Sequence, residues 1–292
     1  MMSTLNLPTL VNWKGWRETC SRRGCRTGWL RHSWLPRIPG MRIGEDWYCC
    51  PECFRCGATE RIRKLQDLAL RRSAPHRSRI PLGLLLVTRG SITKEQWRQA
   101  EERQKQTGGT LGKAVCDLRF TGEREVAAAA AAQWGCLVYS SPALQPEIRA
   151  HIPTPLMRAA MMAPVFQAPA NRRLLVGFAH AVDHALLGTL EEMTSCASEP
   201  CFITASECER CIQALAGRHS EVVFERALPL LEIANIVVSY AQETSADEAR
   251  FGFCQDFLWT RLNRNNQPTD QLFALRDEPS NSARTDWLGG MS

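Results

Sequence analysis

No stretch of this 292-residue chain approaches the run of about 18 uninterrupted apolar residues that a membrane helix needs. The most apolar stretches, Ile80–Val87 and the alanine run Ala127–Ala132, are too short. A signal-peptide core is also missing, because residues 13–37 are studded with arginines. The expectation is a cytoplasmic protein with no membrane span. The chain also lacks a phosphate-binding Gly-x-x-x-x-Gly-Lys-Ser/Thr loop, a nucleophile elbow, a His-Glu-x-x-His helix and a dinucleotide fingerprint. Its nearest imitation of the first, Gly108–Ala114, has the wrong spacing and no hydroxyl after Lys113. No catalytic residues are expected, and the protein is read as not an enzyme. With 44% hydrophobic and 23% charged residues, wholesale disorder, collagen-like and coiled-coil architectures are excluded.

Cysteine is abundant and uneven. Six of the 13 cysteines lie between Cys20 and Cys56, and the rest are scattered. Without an export signal, reduced thiols or metal ligands are expected rather than disulfides. Charge is uneven too. Residues 1–80 carry 16 Lys and Arg against 6 Asp and Glu, whereas the remainder carries 20 against 24. A basic, Cys- and Trp-rich head therefore precedes a mildly acidic body.

In the head, Cys20-x4-Cys25 is followed after a gap by Cys49-Cys50-Pro51-Glu52-Cys53-Phe54-Arg55-Cys56. Two close pairs separated by a loop suit a tetrahedral zinc site, whose metal supplies folding energy that a short segment cannot gain by burial. Cys50-x2-Cys53 and Cys53-x2-Cys56 are competing second pairs on spacing alone. The run Trp47–Phe54 resembles the "YCS-x-x-C" half of treble-clef-like FCS/TRASH fingers, with Cys50 in place of the usual serine. That resemblance implies Cys20, Cys25, Cys49 and Cys53 as structural zinc ligands. Arg22, Arg23, Arg26 and Arg31 surround the knuckle. They can serve nucleic-acid phosphates, but a basic solvated surface on a structural zinc knob is the favoured reading.

Residues 58–70 are expected to be a short helix, and residues 71–79 a proline-broken charged tether. Beyond it the sequence repeats itself. Pro81–Trp97 superposes on Thr110–Val126 with the Leu-Gly pair recurring after 29 residues (Leu82-Gly83, Leu111-Gly112), and each copy closes on a glutamine, Gln104 or Gln133. Thr93 and Gly122 fall where helix N-caps belong. Each copy is expected to be two short amphipathic helices.

The tandem resembles the MshEN domain, the N-terminal domain of type II secretion and type IV pilus assembly ATPases (the GspE N-terminal family). That family carries two copies of "R-L-G-x-x-Φ-Φ-x-x-G-Φ-Φ" followed by leucines and a glutamine. Gly135–Tyr139, Ile152–Arg158, Ala163–Val165 and Leu174–Ala179 continue the match, so that it covers roughly residues 79–216. The resemblance implies cyclic di-GMP as a ligand, met by Leu82, Gly83, Leu86, Val87, Gly90, Ile92 and Gln104, then Leu111, Gly112, Val115 and Gln133, with Arg79, Arg89 and Arg119 as the candidates to replace the family's leading cations. It departs at the leading arginines, which are Pro81 and Thr110, and at the second glycine of copy two, which is Arg119. Protein docking is therefore placed ahead of nucleotide binding.

Strands are expected at Ala163–Ala168, Leu174–Ala179 and Cys201–Thr204, with helices at Ala181–Ser195 and Ala205–Leu215. Cys208 and Cys211 are read as core residues, and His180 and His184 as surface or capping groups. After Arg218, Ala227–Glu243 reads as a helix, or as a helix with a strand at Ile236–Tyr240. Strands follow at Arg250–Phe253, Phe257–Leu262 and Leu272–Leu275. The fold class is α+β: a zinc-finger-like module (1–60), a linker (61–78), the MshEN-like domain (79–217; helical tandem 79–134, α/β sandwich 135–217), an α+β element (218–278) and a polar tail (279–292). The functional expectation is a non-catalytic regulatory or adaptor protein that docks on a secretion or pilus ATPase or a signalling complex. A cyclic di-GMP receptor is the alternative, and a zinc-finger regulator that binds nucleic acid a further one.

Overall fold

The computed structural model describes residues 19–25, 40–71, 79–140, 148–168, 172–265 and 267–275. Arg26, Arg31, residues 72–78 of the expected linker and the tail 279–292 lie outside the described residues. The chain builds β1 (Met41–Ile43) and β2 (Asp46–Tyr48), an antiparallel hairpin turned at Gly44 with φ +60°. Next comes α1 (Pro51–Arg71). This helix starts inside the cysteine cluster rather than at Ala58, because Pro51 suits a first helical turn, where its missing N–H would be unpaired anyway. Residues 61–71 of the expected linker belong to it.

The tandem forms as α2 (Leu82–Thr88), α3 (Lys94–Thr107), α4 (Leu111–Asp117) and α5 (Glu123–Trp134). Its own core is Leu86, Ile92, Ala100, Ala114, Val115 and Ala129. The α/β sandwich follows with β3 (Leu137–Val138), α6 (Thr154–Ala160), β4 (Met162–Ala168), β5 (Arg173–Phe178), α7 (His184–Thr194), β6 (Ala197–Phe202) and α8 (Ala205–Leu215). Its sheet runs β3-β6-β5-β4, parallel except for the β4/β5 pair. Helix α7 begins three residues later than expected, where the Asp183 side chain accepts from the N–H groups of Ala185 and Leu186. Helix α8 carries the capping box of Thr204 and Glu207.

The last part comprises β7 (Glu221–Phe224), α9 (Leu230–Glu243), β8 (Glu248–Cys254), β9 (Phe257–Arg264) and β10 (Gln267–Ala274). The alternative strand at Ile236–Tyr240 is not formed. Ile233, Ala234, Val237 and Ala241 make a buried stripe at helical spacing, which outweighs the β-branched run between them. The segments 1–60 and 218–278, read separately in the sequence, share one six-stranded sheet ordered β2-β1-β8-β9-β10-β7. Strand β1 joins β8 in parallel, Arg42 opposite Glu248 and Ile43 opposite Ala249. A three-residue hairpin cannot stand alone, and β8 offers it an edge.

Alternation along these strands gives the sheet two buried faces. Phe251, Leu258, Leu262 and Phe273 face a core shared with Phe54, Ala58 and Ile62 of α1 and Ile233 and Val237 of α9. Cys254, Trp259 and Leu272 face the core of the α/β sandwich, alongside Leu186, Leu190 and Met193 of α7. No helix among the described residues is long and apolar enough to cross a membrane.

Candidate metal centre and tandem-repeat site

The knuckle Cys20–Cys25 is closed by a bond from Cys25 N to Arg22 O (3.2 Å) and by Gly24 at φ +74°. Ser21 N donates to Trp47 O at 2.9 Å, which fastens the knuckle to β2. Cys49 follows β2 directly, and Cys53 lies in the first turn of α1. Knuckle, hairpin and helix start therefore converge. The sulfurs of Cys20, Cys25, Cys49 and Cys53 all lie within 4.8 Å of one another. Cys25 is 3.5 Å from Cys49 and 3.6 Å from Cys53, and Cys49 is 3.9 Å from Cys53.

Those separations test the chemistry. A disulfide needs about 2.05 Å between sulfurs, so the cluster is not a pair of bridges. A tetrahedral zinc ion with bonds of about 2.3 Å holds its four sulfurs about 3.8 Å apart, which these distances fit. Cys50 is half-buried and Cys56 exposed, and neither belongs to the group of four. Burial, with the neighbouring sulfurs, pushes the Cys53 thiol up to about 12 and that of Cys49 further still. Without a cation these thiols keep their protons. The Arg22 guanidinium donates to Cys53 Sγ at 3.8 Å, where it would offset part of the negative charge of a four-thiolate centre.

The tandem keeps its 29-residue period down to single hydrogen bonds. Ser91 N donates to Leu86 O and Phe120 N to Val115 O; Gly90 N donates to Val87 O and Arg119 N to Cys116 O. Gly90 has φ +71° and its counterpart Arg119 φ 57°, so the arginine occupies the left-handed position that glycine fills in copy one. A Cβ on Gly83 would run into the indole of Trp97, and one on Gly112 would come within 2.7 Å of Val126 Cγ1. The Leu-Gly pair is thus a notch that lets the first helix of each copy lie against the second. Trp97 itself fills the notch, a role its sequence position did not signal.

The residues that the resemblance assigns to a nucleotide divide into two sets. Gly83, Leu86, Ile92, Gly112 and Val115 are buried within the tandem. Leu82, Val87, Leu111, Gln104, Gln133 and Arg79 are half-buried, and Gly90 is exposed. The two glutamines are engaged crosswise. Gln133 Nε2, at the end of copy two, donates to Ile80 O at 2.6 Å, ahead of copy one. Gln104 Nε2, at the end of copy one, donates to Gly109 O at 3.1 Å, ahead of copy two. Thr110, which stands where the leading arginine would be, caps α4 by accepting from Lys113 N at 3.2 Å. The Arg79 guanidinium lies over the Trp134 ring, 3.2 Å from its centroid. In the same domain Ile80, Leu84, Leu137 and Val138 are exposed.

The other residues with expected roles are placed plainly. Cys208 is fully buried in the sandwich core, and Cys211 packs against it. His184 is exposed and tilted against Trp134, the ring centroids 6.1 Å apart. Sequence reasoning missed a buried polar junction. Arg261 of β9 and Asp270 of β10 pair inside the sheet and reach Met193 of α7 and the His151 carbonyl. The sequence offered no such signal, because Asp270 stands among Gln267, Thr269 and Gln271 on β10, ahead of the expected strand start at Leu272.

No family model matches the chain, and no curated protein matches it. Among solved structures it is similar to that of MshE with cdg, at 22% identity over 47% of this chain and 99% of that one, with a TM-score of 0.38. It is also similar to two crystal forms of the N-terminal domain of XpsE. One is 18% identical over 47% of this chain and 94% of that one, TM-score 0.38; the other is 18% identical over 44% and 89%, TM-score 0.27.

Proposed function

We propose that the protein is a non-catalytic cytoplasmic adaptor. Its tandem-helical domain docks on a protein partner of secretion or pilus machinery, and a structural zinc ion held by Cys20, Cys25, Cys49 and Cys53 organises the rest. One observation carries the docking reading. The polar side chains assigned to a nucleotide are spent within the chain, Gln104 and Gln133 on main-chain carbonyls and Arg79 on Trp134, and Thr110, in the place of a leading arginine, is spent on a helix cap. Large apolar side chains of the same domain are left exposed, Leu137 at 79% and Ile80 at 56%. For the zinc the support is the match between the sulfur separations and a four-thiolate tetrahedron.

The second reading is a cyclic di-GMP receptor. The intact two-copy geometry favours it, because both Leu-Gly notches and both left-handed turns are kept. Titration calorimetry of the full chain with cyclic di-GMP separates the two. Absence of heat up to high-micromolar ligand, together with co-purification of the assembly ATPase that Leu137→Glu abolishes without loss of helicity, is the expected result. Stoichiometric binding weakened by Leu82→Ala or Leu111→Ala would transfer the function to the nucleotide.

A further inference from the structure

The cysteines lie near the start of the chain, but what they support lies largely at its other end. Cys49 and Cys53 are buried in the same cluster as Phe54, Ile62, Val237, Phe251, Leu258 and Phe273. The hairpin that carries Cys49 makes three cross-strand pairs within itself and two with β8, too few to hold a sheet edge unaided. Helix α1 packs on both α9 and β8, and its Phe54 and Ile62 are fully buried there. Phe54 directly follows the ligand Cys53. The orientation of α1, and with it one whole buried face of the six-stranded sheet, is therefore set at the point where the four sulfurs meet. Among the described residues, the domain of residues 79–217 contributes none of the four cysteines; it meets the opposite face of that sheet through Cys254, Trp259 and Leu272, and reaches α1 by the ion pair of Glu192 with Arg61 at 3.7 Å.

We propose that the metal centre controls the folding of a composite unit, residues 40–71 with 218–275, so that metal loading decides whether α9 and β8 keep their packing while residues 79–217 keep theirs. This rests on the zinc reading of the four cysteines. The physical reason is loop closure. A cation bound by Cys20 and Cys25 on one side and Cys49 and Cys53 on the other crosslinks knuckle, hairpin and helix, and its binding free energy becomes folding free energy of whatever that helix start organises. Without it, α1 has only its own apolar face to dock by, and the face lined by Phe251, Leu258, Leu262 and Phe273 opens to water.

The test uses the full chain loaded with one equivalent of zinc, stripped with a chelator and then reloaded, with hydrogen exchange read peptide by peptide at each stage. The expected result is exchange at least about tenfold faster in residues 230–254 of the stripped protein, restored on reloading, with residues 156–215 unchanged. Zinc that binds stoichiometrically, but whose removal accelerates exchange only in residues 19–58, would overturn the inference and leave the zinc reading standing. A chain that takes up no zinc would remove both. A second variant avoids touching the ligands. Val237→Ala loosens α9 and, because coupling is reciprocal, should speed chelator withdrawal of zinc several-fold. An unchanged withdrawal rate in a Val237→Ala protein whose α9 exchange has risen would also overturn the coupling.

Discussion

Arg261 grips Asp270 through two parallel bonds, Nε to Oδ1 and Nη2 to Oδ2, both 2.8 Å long, with both side chains buried. The pair is not isolated. Trp259 Nε1 donates to the same Oδ1 at 2.8 Å, and the guanidinium also reaches Met193 O at 2.8 Å and His151 O at 2.6 Å. Each nitrogen of the guanidinium thus has an acceptor, with four of its five N–H groups engaged, and two of those acceptors belong to the α/β sandwich rather than to the sheet. The network ties the six-stranded sheet to α7 alongside the apolar packing of Cys254, Trp259 and Leu272 on Leu186, Leu190 and Met193.

Removing the carboxylate alone leaves the guanidinium buried with a charge it cannot lose. Asp270→Ala should therefore destabilise the full chain by about 3–5 kcal/mol, the cost of breaking a buried pair from one side. Replacing both partners with apolar residues, Arg261→Met with Asp270→Leu, removes the unpaired charge and should recover part of that, the rest being the cost of Trp259 Nε1, Met193 O and His151 O left without their partner. Urea denaturation followed by circular dichroism gives both values. A single mutant no worse than the double would show that the pair is not desolvated as the structure describes it.

The notch glycines make a graded prediction. Gly83→Ala places a methyl against the rigid indole of Trp97, whereas Gly112→Ala meets one Val126 methyl at 2.7 Å. Overpacking of this kind costs about 1–3 kcal/mol, with Gly83→Ala at the upper end. Trp97→Leu should rescue Gly83→Ala, because it vacates the notch, and a double-mutant cycle on thermal melts reads the coupling. Additive effects would mean that the two helices do not approach as closely as described.

The crossed glutamines should matter less individually. Gln133→Ala removes one bond, to Ile80 O, at a surface where water can replace it, so a loss of about 0.5–1.5 kcal/mol is expected. If the two bonds brace the copies against each other, Gln104→Ala with Gln133→Ala should cost more than the sum of the singles. Strict additivity in melting experiments would reduce them to independent loop ties.

The tandem was legible because its period is local. Leu82-Gly83 and Leu111-Gly112 mark equal steps, and helix caps such as Thr93 follow from side-chain chemistry within four residues. That the cysteines fall in two close groups was legible for the same reason, but spacing left open which of Cys49, Cys50, Cys53 and Cys56 join Cys20 and Cys25, and only the finger resemblance chose Cys49 and Cys53. What escaped was non-local. Nothing near Arg42 and Ile43 announces that they pair with Glu248 and Ala249, since a three-residue strand has no periodicity and its partner lies at the far end of the chain. The strand Glu221–Phe224 escaped likewise, lying half-buried at the sheet edge with no alternation to betray it. Arg261 and Asp270 were hidden by a sound general rule, that charged residues seek water, which fails when each has a full set of partners.

The same junction carries a titratable pair. The rings of His151 and His219 lie 3.3 Å apart between centroids. Burial first, then His219 and Arg261, holds the His151 imidazole at a value of about 4 against the opposing pull of Asp270. His219 is lowered as well, by burial, with Arg261 and Arg218 acting in the same sense and Asp270 and Glu221 opposing. The unfolded chain protonates His151 near 6.5, whereas the folded chain resists until about 4. The unfolded state therefore binds more protons across that window. The contribution of His151 to stability is complete above pH 6.5 and is lost as pH falls from there towards 4. Thermal melts of the full chain should show the midpoint falling on acidification through this range, and His151→Gln, which cannot charge, should flatten the dependence. The four cysteines also respond to acid, through competition between protons and metal, a contribution that wild type and variant share, so the two zinc-loaded proteins are compared at each pH. A zinc-loaded wild type and a zinc-loaded His151→Gln variant with parallel pH profiles would place the acid sensitivity elsewhere than at this pair of rings.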